Sequence, residues 1–329
     1  MKIALTGASG HIGFNLCKKL VEIGHEVTVL QRQSHPNIST LNVASVSGNL
    51  MDVESLNKFI KGKEVVIHLA AAISINSKKH AITLEKTNVE GTSNVVKSCV
   101  DNNIRRLIHF SSVDAYDNNP EKKLDETMPL KESGKISYGT TKADSQRIAI
   151  DGQFHGIEVI VLCPTGVIGP EDHSPSLSGK MILQYASRQI PVLIPGGFNW
   201  VDVRDIVSST ITSIDEGVSG ESYLLPGHFA TNKEIAQLVF NETGSIPPKI
   251  IIPFWLAKLG ASFVGIKTKM TRYEPLFTRE SIEVIEKAFR EISGNKAMQY
   301  LKHAPRPLEE TIRDTINWFR NCSDRGIIR

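Results

Sequence analysis

A tyrosine and a lysine stand four residues apart in the stretch YGTTK, residues 138–142, with only small or hydroxyl-bearing residues between them. On a helix this spacing places both side chains on one face, one turn apart. A cation near a phenol favours the phenolate and lowers the pKa of the tyrosine, so the pair is suited to proton transfer. The alternative is a half-buried core tyrosine, Tyr138, beside a solvated lysine, Lys142. The five residues alone favour that alternative, because short patterns recur by chance.

A glycine-rich turn near the amino terminus supplies a second chemical signal. The segment TGASGHIG, residues 6–13, follows an apolar run and precedes residues with helical periodicity. Glycines at positions 7, 10 and 13 allow a tight turn, close approach of a pyrophosphate and close packing of helix on sheet. The context of strand, turn and helix predicts nucleotide binding, and the alternative is an ordinary glycine-rich turn.

The elements that must position these residues alternate between strand and helix. Short apolar runs predict strands at residues 3–5, 27–30, 65–69, 106–110 and 159–162, and helical periodicity includes residues 84–102 and 137–154. This alternation predicts an α/β fold with a doubly wound parallel sheet of the Rossmann type. After Cys163 the pattern predicts an irregular segment with one helix at 179–189, a helix after the first turn of 200–213, a strand at 223–225 and a mostly helical end.

Two units follow from this pattern. Residues 1–163 with about 198–226 form the predicted dinucleotide-binding domain. Residues 164–197 with 227–329 form the predicted substrate-binding region, which is smaller and mostly helical.

Composition excludes several other classes of function. The 329 residues carry a net charge of +3 with scattered lysines and arginines, which argues against a nucleic-acid partner. The four cysteines are far apart and lack metal-site spacing, so we expect reduced thiols and no metal. No signal segment precedes the first strand, and the longest apolar run, residues 250–265, is interrupted by Pro253 and Lys258. We therefore expect a cytoplasmic protein without a membrane partner.

The glycine spacing is GxxGxxG, and further motifs follow it in a fixed order. They are GNLMD (48–52), HLAAA (68–72), NVEGT (88–92), FSSVDAY (110–116), YGTTK (138–142), CPTGVIGP (163–170) and WVDVRDI (200–206). In this layout the chain resembles the extended short-chain dehydrogenases/reductases, and within their NAD-dependent epimerase/dehydratase group it is similar to dihydroflavonol-4-reductase-like proteins. The whole series makes chance an implausible source of YGTTK.

The resemblance implies catalytic roles for three side chains. Tyr138 would be the general acid that protonates a carbonyl oxygen, or the base in the reverse direction. Lys142 would hold the nicotinamide ribose and lower the pKa of the tyrosine. Ser112 would bond the substrate oxygen, with Ser111 as the local rival.

The resemblance also implies a set of cofactor contacts. These are Gly7, Ser9, Gly10, His11, Ile12 and Gly13 around the phosphates, Asn49 at the adenine, and Leu50, Leu69, Ala70, Ala71, Asn88, Ser111, Tyr138, Lys142, Pro164 and Val167 along the rest of the molecule. His68 is expected to be structural.

The residue at the end of the second predicted strand decides the cofactor. Relatives that prefer NAD carry an acid there, which binds the ribose hydroxyls. This chain reads Leu30-Gln31-Arg32, and a guanidinium pairs with a 2′-phosphate. We therefore expect NADPH in preference to NADH, with Arg32 as its contact; the alternative is a solvated loop arginine.

Two further differences from other members of the group indicate the type of reaction. Dehydratases of the group place an acid pair where this chain has Val113 and Asp114, and valine cannot transfer a proton. Epimerases usually present an arginine before the WVDV-like segment, and residues 195–200 contain no basic residue. We therefore expect an NADPH-dependent carbonyl reductase acting on a small or apolar ketone or aldehyde, enclosed by residues 250–265 and Phe198. The alternatives are a nucleotide-sugar epimerase and a non-catalytic protein that senses NADP(H).

Assembly is the last expectation. Members of the family often dimerise through the two helices that correspond to residues 84–102 and 137–154. Their mixture of lysine, serine and small apolar residues is compatible with a homodimer.

Overall fold

The computed structural model describes residues 1–117, 122–244, 246–268 and 278–322, without the side chains of residues 262–268. The described residues form these strands: β1 (Lys2–Thr6), β2 (Glu26–Gln31), β3 (Ala44–Ser47), β4 (Val65–His68), β5 (Arg106–Phe110), β6 (Glu158–Pro164), β7 (Gly166–Ile168), β8 (Gly197–Asp202), β9 (Ser222–Leu225) and β10 (His228–Thr231).

The α-helices of the described residues surround two sheets. They are α1 (His11–Glu22), α2 (Val53–Ile60), α3 (Ser77–Leu84), α4 (Gly91–Asp101), α5 (Tyr138–Asp151), α6 (Leu177–Ala186), α7 (Val203–Glu216), α8 (Asn232–Thr243), α9 (Phe254–Thr268), α10 (Arg279–Glu286), α11 (Asn295–Leu301) and α12 (Leu308–Asn321). A π-helical segment, Glu85–Glu90, joins α3 to α4.

The large sheet has seven strands in the order β3-β2-β1-β4-β5-β6-β9, and every neighbouring pair is parallel. Helices cover both faces, so the central strands β4 and β5 are buried along their whole length. The predicted doubly wound Rossmann sheet is confirmed. Strand β3 was not predicted, because ASVS is short, mostly exposed and has no apolar run.

Two hydrophobic layers hold the helices on this sheet. On one face α1 contributes Leu16 and Leu20, and α7 contributes Ile206. On the other face α2 contributes Phe59 and α4 contributes Val95. Since α5 also packs on this second face, the helix that carries YGTTK rests on a rigid support.

A second, three-stranded sheet follows the large one in the order β10-β8-β7. Strand β8 is antiparallel to β10 and parallel to β7. Helices α6, α8 and α12 pack beside it in a third hydrophobic cluster. The helix expected within residues 200–213 begins at Val203, because residues up to Asp202 extend into β8. The carboxyl-terminal part is helical as predicted, with this small sheet in addition.

Ion pairs attach α12 and the residues just before it to the first turn of α7. Asp202 accepts a hydrogen bond of 2.8 Å from the backbone N–H of Arg204, whose guanidinium also pairs with Asp314 on α12 at 2.8 Å. Arg306 donates to Asp205 at 2.7 Å. The acidic and basic residues of WVDVRDI therefore have a structural use.

Within the described ranges, no helix is both long enough and apolar enough to cross a lipid bilayer.

Candidate active site

The glycine-rich turn forms a cradle at the amino terminus of α1. Gly7 has a φ of +76°, and a Cβ there would lie 2.7 Å from the backbone nitrogen of Ala70. A Cβ on Gly13 would lie 2.1 Å from the carbonyl oxygen of Gly7. No side chain caps the helix at Gly10, and the first turn contains no acidic residue. The turn therefore has the close backbone packing and free helix N–H groups that a pyrophosphate requires.

The neighbours of this turn differ in what their side chains do. Ser9 is exposed and Ile12 is half-buried against the core. The His11 imidazole lies 2.9 Å from the carbonyl oxygen of Pro170, and Asn15 donates to the same oxygen at 3.2 Å. The side chain of His11 thus holds the segment after β7, while its backbone belongs to the helix terminus.

The segment after β4 forms one wall beside the cradle. Leu69, Ala70 and Ala71 are half-buried there. The backbone N–H of Ala70 donates to Thr6 Oγ1 at 3.2 Å, and the same hydroxyl lies 2.8 Å from His68 Nδ1. Burial lowers the pKa of His68 to about 3, with the Lys142 charge adding to the effect, so this histidine is neutral and structural as expected.

The end of β2 presents an unpaired cation. Arg32 is exposed and forms no ion pair with any described residue. Asn49, also exposed, accepts a hydrogen bond from the backbone N–H of Met51 at 2.8 Å through Oδ1. Leu50 is 9% exposed and packs against Gly91. These positions are compatible with the adenosine contacts implied by the resemblance.

The proposed catalytic residues come from β5 and α5. Ser137 caps α5 and bonds the backbone N–H of Thr140 at 3.1 Å, so Tyr138 is the first residue of the helix. Ser112 follows β5, and its hydroxyl lies near the phenol of Tyr138, where it acts to lower the pKa of the tyrosine. The Ser112 oxygen also accepts from the backbone N–H of Asp114 at 3.1 Å, which leaves its proton for the phenol or a substrate oxygen.

The pKa of Tyr138 is raised, contrary to the expectation that Lys142 would lower it. Burial is the main cause and the Asp114 carboxyl adds to it, whereas the nearby Ser112 hydroxyl acts in the opposite direction. The Lys142 ammonium instead donates to the carbonyl oxygen of Phe110. Tyr138 is therefore a phenol at neutral pH.

Lys142 is a buried cation. It is 4% exposed, and burial lowers its pKa to about 8. A buried ammonium with few neighbouring counter-charges is stabilised when a polar ligand forms a hydrogen bond with it.

Asn88 connects the two sides of the site. Its Oδ1 accepts from the backbone N–H of Ala72 at 2.7 Å, and its Nδ2 donates to the Ala72 oxygen at 3.0 Å and to Thr141 Oγ1 at 3.1 Å. Asn88 lies in the π-helical segment, a geometry often found at functional sites. In this structure the side chain of Asn88 therefore bonds Ala72 and Thr141 of the same chain.

Three remaining predicted residues lie around the carboxyl ends of β5 and β6. Ser111 is 4% exposed, and its hydroxyl lies beside the Cys163 thiol without a hydrogen bond of good geometry. Pro164 ends β6, and Val167 in β7 packs half-buried against the core. The fold thus brings these residues to the edge of the sheet where ligands bind in doubly wound proteins.

A small cavity of about 30 Å³ adjoins the catalytic residues. Its walls come from the end of β5, the β6–β7 junction, β8 and the segment before α11, and they comprise Val113, Asp114, Thr165, Gly166, Phe198, Asn199, Ala288, Phe289 and Ile292. Phe198 was predicted here. Thr165 and the three residues after α10 fall within the predicted substrate-binding region but were not named individually, since no sequence signal connects residues 288–292 with β5.

The segment at residues 278–293, which we call the strap, is held at both ends. The backbone N–H of Ser77 donates to Glu280 at 2.7 Å. At the other end the backbone N–H of Ser293 donates to the Leu124 carbonyl oxygen at 2.8 Å. The strap therefore crosses from one side of the site to the other and closes the cavity.

The expectation that residues 250–265 enclose the substrate stays a prediction. Of the described side chains of that segment, Ile252, Phe254 and Ala257 pack in one hydrophobic cluster with Phe198, which lines the small cavity. Trp255 is 64% exposed and Leu259 is 52% exposed. Neither lines the small cavity. A groove of about 280 Å³ between Lys233 and residues 246–251 contains none of the predicted site residues.

In the described part of the chain, no three His, Cys, Asp or Glu side chains are grouped to hold a metal ion.

The family model of the NAD dependent epimerase/dehydratase family matches residues 3–225. The chain belongs to this family. It is 31% identical to "Sterol demethylase protein B" of Methylococcus capsulatus, with 100% of both chains covered. It is 27% identical to "Putative dihydroflavonol 4-reductase" of Synechocystis, covering 96% of this chain and 94% of that one.

The fold agrees with solved members of the family. The crystal structure of gox2253 superposes with a TM-score of 0.83 at 28% identity, covering 99% of each chain. More distant structures that share the fold were solved with NAD. The chain is thus an extended short-chain dehydrogenase/reductase, dihydroflavonol-reductase-like, within a family of NAD(P)-dependent oxidoreductases, epimerases and dehydratases.

Proposed function

We propose that this protein is an NADPH-dependent carbonyl reductase, or alcohol dehydrogenase in the reverse direction, acting on a neutral and largely apolar compound. The observation that carries the proposal is the placement of Ser112 beside Tyr138 at the end of β5, with Lys142 one helical turn further on and bonded to the Phe110 oxygen. A sensor of the cofactor does not need this arrangement of proton donor and oxygen ligand.

The chain fits a dinucleotide at the cradle. Gly7 and Gly13 would lie against the pyrophosphate, and Leu69 to Ala71 would form the wall beside it. Lys142 would bond the nicotinamide ribose, which would give its buried ammonium a polar partner besides the Phe110 oxygen. A bound nicotinamide supplies a hydride equivalent for the carbonyl carbon.

The proton comes from Tyr138. Its raised pKa keeps it protonated in the absence of substrate, and the Ser112 hydroxyl lies near the phenol. As the carbonyl oxygen gains negative charge, Ser112 and Tyr138 both donate to it, and these bonds strengthen in the transition state. Tyr138 then gives up its proton to yield the alcohol.

The cofactor preference is proposed from Arg32. Its guanidinium is exposed at the end of β2 and forms no ion pair with a described residue. A 2′-phosphate placed there would gain a charge-assisted, bidentate hydrogen bond.

The substrate class is proposed from the cavity walls. Val113, Phe198 and Phe289 are apolar, and the residues that line the cavity include no basic side chain to pair with an anion. These walls disfavour a nucleotide sugar, whose pyrophosphate is a dianion. The dihydroflavonol-reductase-like relatives support a reductase, while the names of other relatives extend to dehydratases and decarboxylases.

The test is a substrate screen that follows the loss of reduced nicotinamide absorbance. A panel of apolar ketones and aldehydes is compared with a panel of nucleotide sugars assayed for epimerisation. Reduction of neutral carbonyls with NADPH supports the proposal. Turnover confined to nucleotide sugars would replace it with the epimerase, and tight NADPH binding without turnover on either panel would replace it with the sensor.

The predicted homodimer remains part of this proposal. Helices α4 and α5 pack against one another on the same face of the sheet, and Ile148 and Ile150 on α5 are only partly buried. Sedimentation equilibrium tests it, and a species of 36.3 kDa at micromolar concentration would contradict it.

A further inference from the structure

Exposed apolar side chains are concentrated in one stretch of the described chain, residues 246–259. Six large apolar side chains of this stretch are 41–73% exposed, namely Ile246, Ile250, Ile251, Trp255, Leu256 and Leu259. Trp255 and Leu259 share one face of α9, one turn apart. An apolar cluster of this kind is typical of a surface that binds a partner.

The backbone beneath this cluster is fixed. The backbone N–H of Leu193 donates to the Ile250 carbonyl oxygen at 2.9 Å, and the N–H of Ile252 donates to the Leu193 carbonyl oxygen at 2.9 Å. The inner side of α9 packs through Phe254 and Ala257 in a hydrophobic cluster with α10. The outward apolar side chains are therefore held at the surface by a packed support.

The charges around the cluster have one sign. Residues 243–273 contain five basic residues and no acidic one. Lys258 on α9 pairs with Glu286 on α10. Lys233 and Lys249 are exposed, line the groove of about 280 Å³ at the start of the cluster, and form no ion pair with a described residue. These two lysines therefore give the surface a positive charge.

We propose that the six apolar side chains together with Lys233 and Lys249, which we call the apolar–basic patch, bind the surface of an anionic lipid bilayer. The apolar side chains would enter the boundary between headgroups and acyl chains, and the lysines would contact the phosphates of anionic lipids. Tryptophan is enriched at this depth, because its ring is apolar and its indole N–H is polar.

Such a contact lies in the plane of the bilayer and needs no spanning helix. The expectation of no membrane partner rested on the lack of a spanning segment, and this proposal replaces it. The proposal does not depend on which reaction the protein catalyses.

The charge pattern disfavours a second copy of the chain as the occupant. In a two-fold interface the patch would meet itself, which would bring Lys233 and Lys249 of both copies together. Residues 243–273 offer no carboxylate to pair with them.

The chemistry of the patch also favours a bilayer over a different protein. Protein partners are recognised by directional hydrogen bonds in addition to apolar contact. Within residues 246–259, only the lysines and the Trp255 indole carry a side-chain hydrogen-bonding group. A bilayer surface requires no such directional recognition.

Vesicle co-sedimentation with the full chain tests the proposal. Vesicles of phosphatidylcholine alone are compared with vesicles that also contain phosphatidylglycerol, at low and at high salt. We expect binding to the anionic vesicles that weakens as salt is added, and much weaker binding to the neutral vesicles.

Tryptophan emission provides a local readout. Trp255 is 64% exposed, whereas Trp200 is buried and Trp318 is half-buried. Anionic vesicles should shift the emission of the wild type to shorter wavelength. The shift should disappear in Trp255→Phe, which keeps an apolar ring and should still bind.

Paired variants separate the patch from the rest of the surface. The double variant Trp255→Gln with Leu259→Gln should weaken binding to anionic vesicles by at least about 30-fold. Lys249→Gln should weaken it by about 5-fold. Phe154→Gln and Lys61→Gln are the controls, since they change an exposed apolar residue and an exposed lysine outside the patch and should leave binding unchanged. Circular dichroism checks that each variant is folded.

The outcomes are decisive in both directions. Loss of binding confined to the patch variants supports the proposal, whether or not the protein reduces any carbonyl compound. Absence of binding to anionic vesicles overturns it, as does equal binding to neutral and anionic vesicles or equal weakening by the controls. If vesicles are not bound and the double variant converts a dimer to a monomer in sedimentation, the proposal is overturned and the patch is assigned to a second copy.

Discussion

The side-chain amide of Asn88 donates a hydrogen bond of 3.1 Å to Thr141 Oγ1, between the tyrosine and the lysine of YGTTK. The same side chain holds the backbone of Ala72 by two hydrogen bonds. One asparagine therefore fixes the catalytic helix to the wall beside the cofactor cradle. This contact explains why a hydroxyl-bearing residue stands between Tyr138 and Lys142.

We predict that Asn88→Ala acts on catalysis through position. Loss of the link to α5 displaces the phenol, so kcat should fall by about 10- to 100-fold, with a smaller change in KM. Steady-state kinetics measures the split. The control is Asn102→Ala, which removes a similar amide at the end of α4 that bonds Asn57 and Ser98. Equal losses of kcat in both variants would reduce the Asn88 effect to general destabilisation.

The two serines after β5 can be distinguished by substitution. Ser112→Ala removes the hydroxyl beside Tyr138, which would be a donor to the developing oxyanion, so kcat should fall by about 100-fold. Ser111→Ala removes a buried hydroxyl without a good partner and should change kcat by less than about 5-fold. The opposite order of losses would transfer the catalytic role to Ser111.

Arg32→Ala tests the preference for NADPH. Loss of the guanidinium should weaken NADPH binding by about 10- to 100-fold and leave the dissociation constant of NADH nearly unchanged. Fluorescence titration of both reduced cofactors provides the measurement. Gln33→Ala, a neutral and exposed neighbour, is the control. Equal weakening of both cofactors by Arg32→Ala would contradict a 2′-phosphate contact.

Burial of the Lys142 cation should lower the free energy of unfolding by an amount that depends on pH. Its pKa is lowered from 10.5 to about 8 by burial, so the unfolded chain binds more protons between those values. This loss of folding stability is largest below about pH 8 and disappears as the pH rises to about 10.5. We expect Lys142→Met to stabilise the protein by about 1–2 kcal/mol at pH 7, after the loss of the bond to Phe110, while abolishing activity.

Denaturant unfolding of Lys142→Met and the wild type at pH 7 and pH 10 measures this effect. The stability difference should shrink at the higher pH. A difference that is constant with pH would show that the lysine is not held as a strained cation.

The sequence predicted the central sheet because β4 and β6 contain continuous apolar runs, and it predicted the cradle because glycines must stand where a Cβ would strike Ala70 or Gly7. The edge strand β3 escaped prediction because it is short and its residues are mostly exposed. The walls of the small cavity were predicted only as regions, with Phe198 the one residue named, since Phe289 reaches Val113 only through the tertiary path of the strap. The raised pKa of Tyr138 depends on burial, which a helical spacing of tyrosine and lysine does not reveal.

The most direct test of the account is the Tyr138→Phe variant, compared with the wild type on a carbonyl substrate found in the screen. Two quantities are measured, the single-turnover rate of NADPH oxidation and the dissociation constant of NADPH. We predict that the rate falls by at least about 1,000-fold, because the phenol proton is lost, while NADPH affinity stays within about 3-fold of the wild-type value. A rate close to that of the wild type would contradict the assignment of Tyr138 as proton donor and, with it, the proposed mechanism.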